Sequence, residues 1–305
     1  MTVIALGSIA GAPGVTSLAV GLAGVWPDDR RRVVVEADPA GGRLGAQLGI
    51  GVEPGLMTLA LAARSGRLGA DELLVAGAAQ VGSWFAVPAP ASGEQTWSAL
   101  SHAGAALAEL MGVADGDVWI VDAGRLSTRS AALPFARVAD HTVLVTGGSF
   151  DALQLVPDRV DALRRVGCRV GVVVVEPTDW SSAELAEFAG ADVLAVMRHV
   201  RGGRATDLRS MRGAAWRRWW HDVERLAVVL DGDEPPVPPV PAGSTAPSDE
   251  VDPAISRRGR PIAADPAVGA PDDGPPRRIG SLPDAEAAPP PATAAPSWLS
   301  PEWPG

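Results

Sequence analysis

Short apolar runs rich in Val recur along the first 200 or so residues and alternate with segments of helical periodicity. Seven runs predict buried strands, at residues 3–6, 33–35, 84–87, 118–121, 142–145, 170–175 and 193–196. Amphipathic segments at residues 94–111, 152–166 and 182–188 predict helices between several of them. Continuous apolar strands separated by helices are typical of a mostly parallel sheet with helices on both faces. The sequence therefore predicts an α/β fold, in which ligands bind at the carboxyl ends of the strands.

Proline divides the chain into two parts. Of the 28 prolines, 19 lie in residues 232–305, together with 11 acidic residues and five Arg. Such a segment buries too little apolar surface to offset its chain entropy. We therefore predict a folded domain over residues 1–231 and a disordered, acidic, Pro-rich tail over residues 232–305. For Trp298 and Trp303 near its end, a short docking motif and a chance exposed end both stay open.

The composition excludes several classes of mechanism. The chain contains no Lys, Asn or Tyr, so all 26 basic residues are Arg. This excludes Schiff-base chemistry, a Walker lysine and the Tyr/Lys pair of short-chain dehydrogenases. The net charge of -10 argues against a chain that coats nucleic acid over its whole surface, although a local basic face is still allowed.

The remaining composition favours a cytoplasmic location. The single cysteine, Cys168, permits neither an internal disulfide nor a cysteine-based zinc site. The four histidines show no metal-ligand spacing, so we assign them no role. The N-terminal segment lacks the features of a signal peptide, and no apolar run is long enough to span a bilayer.

A glycine-rich loop follows the first strand and leads into a helix that we expect to begin near Thr16. Its backbone N–H groups and the positive helix end can face an anion, which makes the loop a candidate phosphate site. Aligned with the Walker A form G-G-x-G-K-T-[ST], the loop places Val15 at the lysine position and Thr16 at the magnesium ligand. A tight strand-to-helix turn is the alternative. The candidate phosphate-binding residues are Gly11, Ala12, Pro13, Gly14, Val15, Thr16 and Ser17.

Three further motifs follow in order: EADPAGG after the second strand, IVDAG after the strand at 118–121, and then ADHTVLVTGGSFDAL. With this order of motifs, residues 1 to about 200 resemble the MinD/ParA group of deviant Walker ATPases. Within that group they look like actinobacterial MinD-like proteins whose loop is close to GSPGVTT. The resemblance implies a P-loop NTPase fold, ATP and Mg²⁺ as cofactors, and a homodimer with an unknown protein partner.

The resemblance also implies roles for individual residues. Asp38 matches the switch I aspartate that positions the attacking water, and Glu36 would lie beside the phosphates. Asp122 matches the Walker B aspartate, which holds magnesium through water together with Thr16, and Gly124 would begin switch II. A helix-cap role for Asp38 and an ordinary strand-end role for Asp122 are the alternatives.

Three nucleotide-facing positions depart from the family pattern. Ala10 and Val15 replace both family lysines, and Glu176-Pro177 stands where the family commonly has an Asn that contacts adenine. Arg43 and Arg125 are the nearest candidates for replacing the lost charge, although the residues alone favour a solvated surface position for each.

Two functions remain open. The first is a nucleotide-binding positioning or assembly factor, acting in chromosome or plasmid partitioning or in localising pilus or secretion machinery, with weak or absent ATP hydrolysis. The second is a non-hydrolysing pseudo-ATPase scaffold that binds protein partners through its surface and its Pro-rich tail.

A segment rich in Arg and Trp, residues 208–230, has the periodicity of one amphipathic helix. We expect its apolar face to pack on the sheet and its Arg face to be solvated. The resemblance also implies that this helix makes weak contact with DNA or an anionic membrane. Such contact would place the protein at the nucleoid or at the membrane periphery. The expected apolar positions are Met211, Ala215, Trp219, Val223, Leu226 and Leu230, with Arg209, Arg212, Arg217, Arg218 and Arg225 elsewhere.

Overall fold

The computed structural model describes residues 1–10, 14–65, 69–175, 178–198 and 214–232. Its strands are β1 (Thr2–Ser8), β2 (Arg31–Glu36), β3 (Ala79–Val81), β4 (Trp84–Val87), β5 (Asp117–Arg125), β6 (His141–Gly147), β7 (Val170–Val175) and β8 (Val193–Met197). Its helices are α1 (Val15–Val25), α2 (Leu44–Leu48), α3 (Leu56–Ser65), α4 (Ala70–Gly77), α5 (Gly93–Met111), α6 (Leu133–Val138), α7 (Phe150–Leu153), α8 (Val156–Arg165), α9 (Ser182–Ala189) and α10 (Ala214–Asp231).

The strands form one sheet in the order β3-β4-β2-β5-β1-β6-β7-β8. Every pairing is parallel except that of the short strand β3 with β4. Apolar side chains of the central strands are buried on both faces and form two core clusters, one on each face. The predicted α/β class is confirmed, and all seven predicted runs lie within strands of this sheet.

One segment predicted as a single helix forms two helices in the structure. The segment at 152–166 was expected to form a single helix, but α7 ends at Leu153 and α8 begins at Val156. Pro157 lies in the first turn of α8, where its missing N–H costs nothing, whereas in the middle of a longer helix it would remove a hydrogen bond. The chain therefore restarts the helix at this proline.

Over the part that is described, the Arg- and Trp-rich helix packs through its expected apolar positions except Ala215. Ala215 lies in the first turn of α10 and is exposed, so the prediction is wrong at that position. α10 contacts α1 and β8, and its residues Trp219, Val223, Leu226 and Leu230 are buried. Trp216 and Trp220 are partly buried against the same cluster. Residues 208–213, including Arg209, Met211 and Arg212, lie outside the described residues.

Other expectations also fall outside the described residues. They concern Gly11, Ala12 and Pro13 of the loop, the pair Glu176-Pro177, and the tail beyond Gly232. Cys168 is buried and forms no disulfide. Of the helices in the described ranges, none has the length and apolar character needed to cross a bilayer.

Candidate functional site

A cleft of about 690 Å³ opens at the carboxyl ends of β1, β2 and β5, beside the start of α1. Parallel strands bring their following loops to one edge of the sheet, so motifs far apart in sequence meet here. The cleft is lined by Ser8, Gly14, Val15, Thr16, Ser17, Glu36, Asp38, Ala40, Gly41, Gly42, Arg43, Gln47, Ala91, Asp122, Gly124 and Arg125. All of the predicted site residues that the structure describes therefore line this one cleft.

α1 begins directly at the glycine-rich loop. Gly14 precedes the helix in the left-handed region, with φ of 95°, and no side chain caps the helix start. The first N–H groups of a helix have no partner within the helix and attract anions. Val15, at the lysine position, is 4% exposed and belongs to an apolar core cluster while also lining the cleft.

Thr16 and Asp122 are in direct contact across the cleft floor. The Thr16 hydroxyl donates a hydrogen bond to Asp122 Oδ2 at 2.5 Å, and the Gly124 N–H donates to Asp122 Oδ1 at 3.1 Å. Burial raises the pKa of Asp122 to about 6; the two hydrogen bonds oppose this rise, and the charges of Glu36 and Asp38 add to it. A cation bound beside Asp122 would stabilise its ionised carboxylate, which burial disfavours.

Asp38 packs against the turn that follows Asp122. Gly124 has a positive φ of 57°, and a Cβ at this position would lie 2.1 Å from Asp38 Cγ. The Asp38 side chain also accepts a hydrogen bond from the Ala40 N–H at 2.9 Å. Because φ is positive and the Asp38 carboxylate lies where a side chain would be, glycine at position 124 allows Asp38 to lie against the turn after Asp122.

Glu36 holds two walls of the cleft together. Its carboxylate accepts hydrogen bonds from the backbone N–H groups of Arg43, Leu44 and Ala89 at 2.6, 2.9 and 2.9 Å. Burial raises the pKa of Glu36, and the three hydrogen bonds oppose that rise. The sequence placed Glu36 at the site but not its link to Ala89, which comes from a loop 53 residues away. The available signal was a carboxylate ending a buried strand, since a buried charge needs partners.

The donor set suits magnesium. A hydroxyl and a carboxylate are hard oxygen ligands, and Mg²⁺ usually takes one or two protein ligands together with phosphates and water. In the described part of the chain, no group of three or more His, Cys, Asp or Glu side chains is arranged to hold a metal ion alone. Thr16 and Asp122 supply two oxygen donors of the kind that Mg²⁺ takes from a protein. Arg43 and Arg125 line the cleft with exposed side chains that can face such a ligand.

Solved structures that share this architecture include ParA and MinD ATPases. A ParA family ATPase from Chlorobium tepidum TLS matches with a TM-score of 0.61 at 17% identity, over 74% of this chain and 98% of that one. The chain has the MinD/ParA fold.

Two MinD structures extend the comparison. MinD from Pyrococcus horikoshii OT3, complexed with Mg-ADP, matches with a TM-score of 0.57 at 16% identity, over 75% of this chain and 96% of that one. The MinC:MinD cell division complex of Aquifex aeolicus matches with a TM-score of 0.56 at 14% identity, over 78% and 98%. No protein-family model and no curated protein matches the sequence.

Proposed function

We propose that this chain binds ATP with Mg²⁺ in the cleft and acts as a MinD/ParA-like positioning or assembly factor with weak or absent hydrolysis. The observation that carries the proposal is the hydrogen bond between Thr16 and Asp122 at the floor of a cleft where α1 begins. It brings the two expected magnesium ligands together, although 106 residues separate them in the sequence. A magnesium ion would neutralise the buried charge of Asp122.

Each of the predicted site residues has a role in this proposal. The start of α1, from Gly14 to Ser17, holds the phosphates through backbone N–H groups, together with the N–H groups of Gly11 and Ala12. Pro13 has no N–H and adjoins the phosphates only as part of the loop. Gly11, Ala12 and Pro13 lie outside the described residues. Thr16 and Asp122 hold the metal, and Asp38 orients the attacking water. Gly124 lets Asp38 lie against the turn after Asp122, and Glu36 joins the loop after β2 to the loop at Ala89.

The proposed hydrolysis is slow because the cleft lacks lysine. Positioned positive charge stabilises the transferred phosphoryl group, and its loss typically lowers the rate by several powers of ten. Val15 is apolar and packed into the core, and Ala10 cannot supply charge to a partner subunit. Arg43 and Arg125 supply the remaining positive charge at the described part of the cleft.

The partners in this proposal are a second copy of the chain, a protein partner and a polyanion. A MinD that resembles this chain in fold forms a complex with MinC, which supports a protein partner of some kind. The exposed Arg residues of α10 support weak contact with DNA or an anionic membrane.

A second candidate function is a non-hydrolysing scaffold that binds protein partners through its surface and its Pro-rich tail. The burial of Val15 among apolar side chains favours it, because this position contributes to the core where an ATPase would present a cation. The two candidates differ in one measurable property, the binding of magnesium nucleotide.

The deciding experiment measures thermal stability of the full chain with ATP or GTP, with and without Mg²⁺. A ligand at 100 times its dissociation constant stabilises the native state by about 2.7 kcal/mol, so binding raises the melting temperature. Thr16→Ala and Asp122→Ala should remove the magnesium-dependent part of this rise, whereas Thr16→Ser, which keeps the hydroxyl, should retain it. If neither nucleotide shifts the wild-type protein, the scaffold function is favoured.

A further inference from the structure

The lysine position of the glycine-rich loop holds an apolar side chain that is almost fully buried. Val15 is the first residue of α1, is 4% exposed and belongs to an apolar core cluster, yet it also lines the cleft. The lysine of a Walker A loop reaches the β- and γ-phosphates of a bound nucleotide. At position 15 this chain therefore offers methyl groups, and no ammonium group, to that part of a nucleotide.

The groups of the cleft that suit a magnesium nucleotide do not require a third phosphate. The start of α1 has backbone N–H groups without a side-chain cap, and such groups bind phosphate of any kind. Thr16 and Asp122, joined by a hydrogen bond of 2.5 Å, are the two oxygen donors for Mg²⁺. Both features serve a diphosphate as well as a triphosphate.

Three carboxylates line the same cleft and oppose additional negative charge. Asp38 lies against Gly124, whose N–H donates a hydrogen bond to Asp122, so these two carboxylates meet at one turn. Glu36, which is 3% exposed, is the third. Like charges repel, and the repulsion is screened less in a cleft than in open solvent. The negative charge that a third phosphate adds is therefore disfavoured by these side chains.

The positive side chains of the described lining compensate for this repulsion only weakly. They are Arg43 and Arg125, which are both exposed and make no ion pair with any described residue. An exposed ion pair is weak, because solvent and salt screen it and because long side chains lose freedom when they form it. Such a pair typically changes a binding constant by about fivefold or less.

We propose that Val15 is a specificity-determining residue that removes the preference of the cleft for a triphosphate, so that Mg-ADP binds about as tightly as Mg-ATP. This inference rests on the proposed binding of magnesium nucleotide in the cleft. Two ligands of similar affinity compete through their concentrations alone. The nucleotide in the cleft would then follow the ratio of ATP to ADP around the protein.

Calorimetric titration of the full chain with Mg-ADP and Mg-ATP tests the proposal, with the non-hydrolysable analogue AMPPNP as a check that hydrolysis does not distort the result. We expect Mg-ATP to bind less than about fivefold more tightly than Mg-ADP. A preference for Mg-ATP of about fivefold or more would overturn this inference while leaving nucleotide binding itself intact. Binding of neither nucleotide would instead overturn the proposed function, and this inference with it.

A pair of substitutions at position 15 isolates the missing charge. Val15→Lys and the matched control Val15→Met both introduce an unbranched side chain of similar length, but only the lysine is charged. We expect Val15→Lys to prefer Mg-ATP over Mg-ADP by at least about tenfold more than Val15→Met does, because a hydrogen bond to a charged group is strong. Melting curves without nucleotide verify that both variants are folded. Equal preferences in the two folded variants would overturn the role of Val15.

A further variant leaves Val15 and the core unchanged. Arg43→Gln with Arg125→Gln removes the two exposed charges of the described lining, and it should change the affinities for Mg-ADP and Mg-ATP by similar factors. A loss of affinity confined to Mg-ATP would overturn the proposal, because it would show that these arginines bind the third phosphate.

Discussion

At the scale of single residues, the raised pKa of Asp122 makes the free energy of unfolding depend on pH. The native state holds a proton on Asp122 up to about pH 6, whereas the unfolded state releases it near 3.8. Between these values the native state binds more protons, so this contribution to stability is complete below pH 3.8 and is lost as the pH rises through 6. Asp122 therefore destabilises the metal-free protein at neutral pH.

We expect Asp122→Asn to raise the free energy of unfolding of the metal-free protein at pH 7 by about 1–3 kcal/mol. The difference from wild type should shrink towards zero at pH 4, where the aspartate is protonated in the native state. Denaturant unfolding of wild type and variant at several pH values measures this difference in the free energy of unfolding and how it changes with pH. Asp115→Asn, in an exposed loop, is the matched control and should change little. A lower stability of Asp122→Asn at pH 7 would contradict this account.

At the scale of elements, one close aromatic contact contributes to the packing of α10 on α1. Trp219 is 8% exposed, and a Cβ at Gly21 of α1 would lie 2.7 Å from its ring, so the helices approach closely. Its ring also makes edge-on contacts with Trp216 and Trp220 at 5.5 and 5.0 Å between centroids.

Trp219→Ala should lower the free energy of unfolding by about 3–5 kcal/mol, because it leaves a cavity between α10 and α1. Trp97→Ala on α5, where the side chain is 54% exposed, should cost less than about 1 kcal/mol. Chemical denaturation of both variants measures the difference. Similar losses for the two variants would mean that α10 is not anchored through Trp219.

The elements also differ in how well the sequence predicted them. Long Val-rich runs such as residues 170–175 predict buried strands reliably, because few other structures bury every side chain. β3 has only three residues and pairs antiparallel at the edge, so it carries no periodic signal. The helices α2, α3 and α4 were not predicted, since the segment between β2 and β3 mixes glycines with short apolar stretches.

The same contrast holds within the candidate site. Asp38 and Asp122 were predictable because each stands in a recognisable motif at the carboxyl end of a Val-rich run, Asp38 just after β2 and Asp122 within the last part of β5. The hydrogen bonds from Glu36 to the loop at Ala89 depend on a tertiary contact that no local pattern encodes. The burial of Val15 in the core also became visible only from the fold.

At the scale of the whole molecule, charge is unevenly distributed. The chain carries a net charge of -10, yet α10 presents Arg217 and Arg218 to solvent on the side opposite its buried residues. Because releasing the docked face would expose Trp219, Val223 and Leu226, we expect α10 to stay docked and to contact polyanions through its Arg face alone. Such contact is weak and sensitive to salt, because it depends on counterion release.

We expect the full chain to shift a DNA duplex or to co-sediment with phosphatidylglycerol-containing vesicles at low salt, and to lose this binding at moderate salt. Arg217→Glu with Arg218→Glu should weaken it by about tenfold or more, because four units of charge change at the contact surface. Arg129→Glu with Arg165→Glu changes the net charge equally at exposed positions away from α10 and should have a smaller effect. Equal losses in the two double variants would show that only the total charge matters. Binding that the α10 variant leaves intact would place the polyanion surface elsewhere on the molecule.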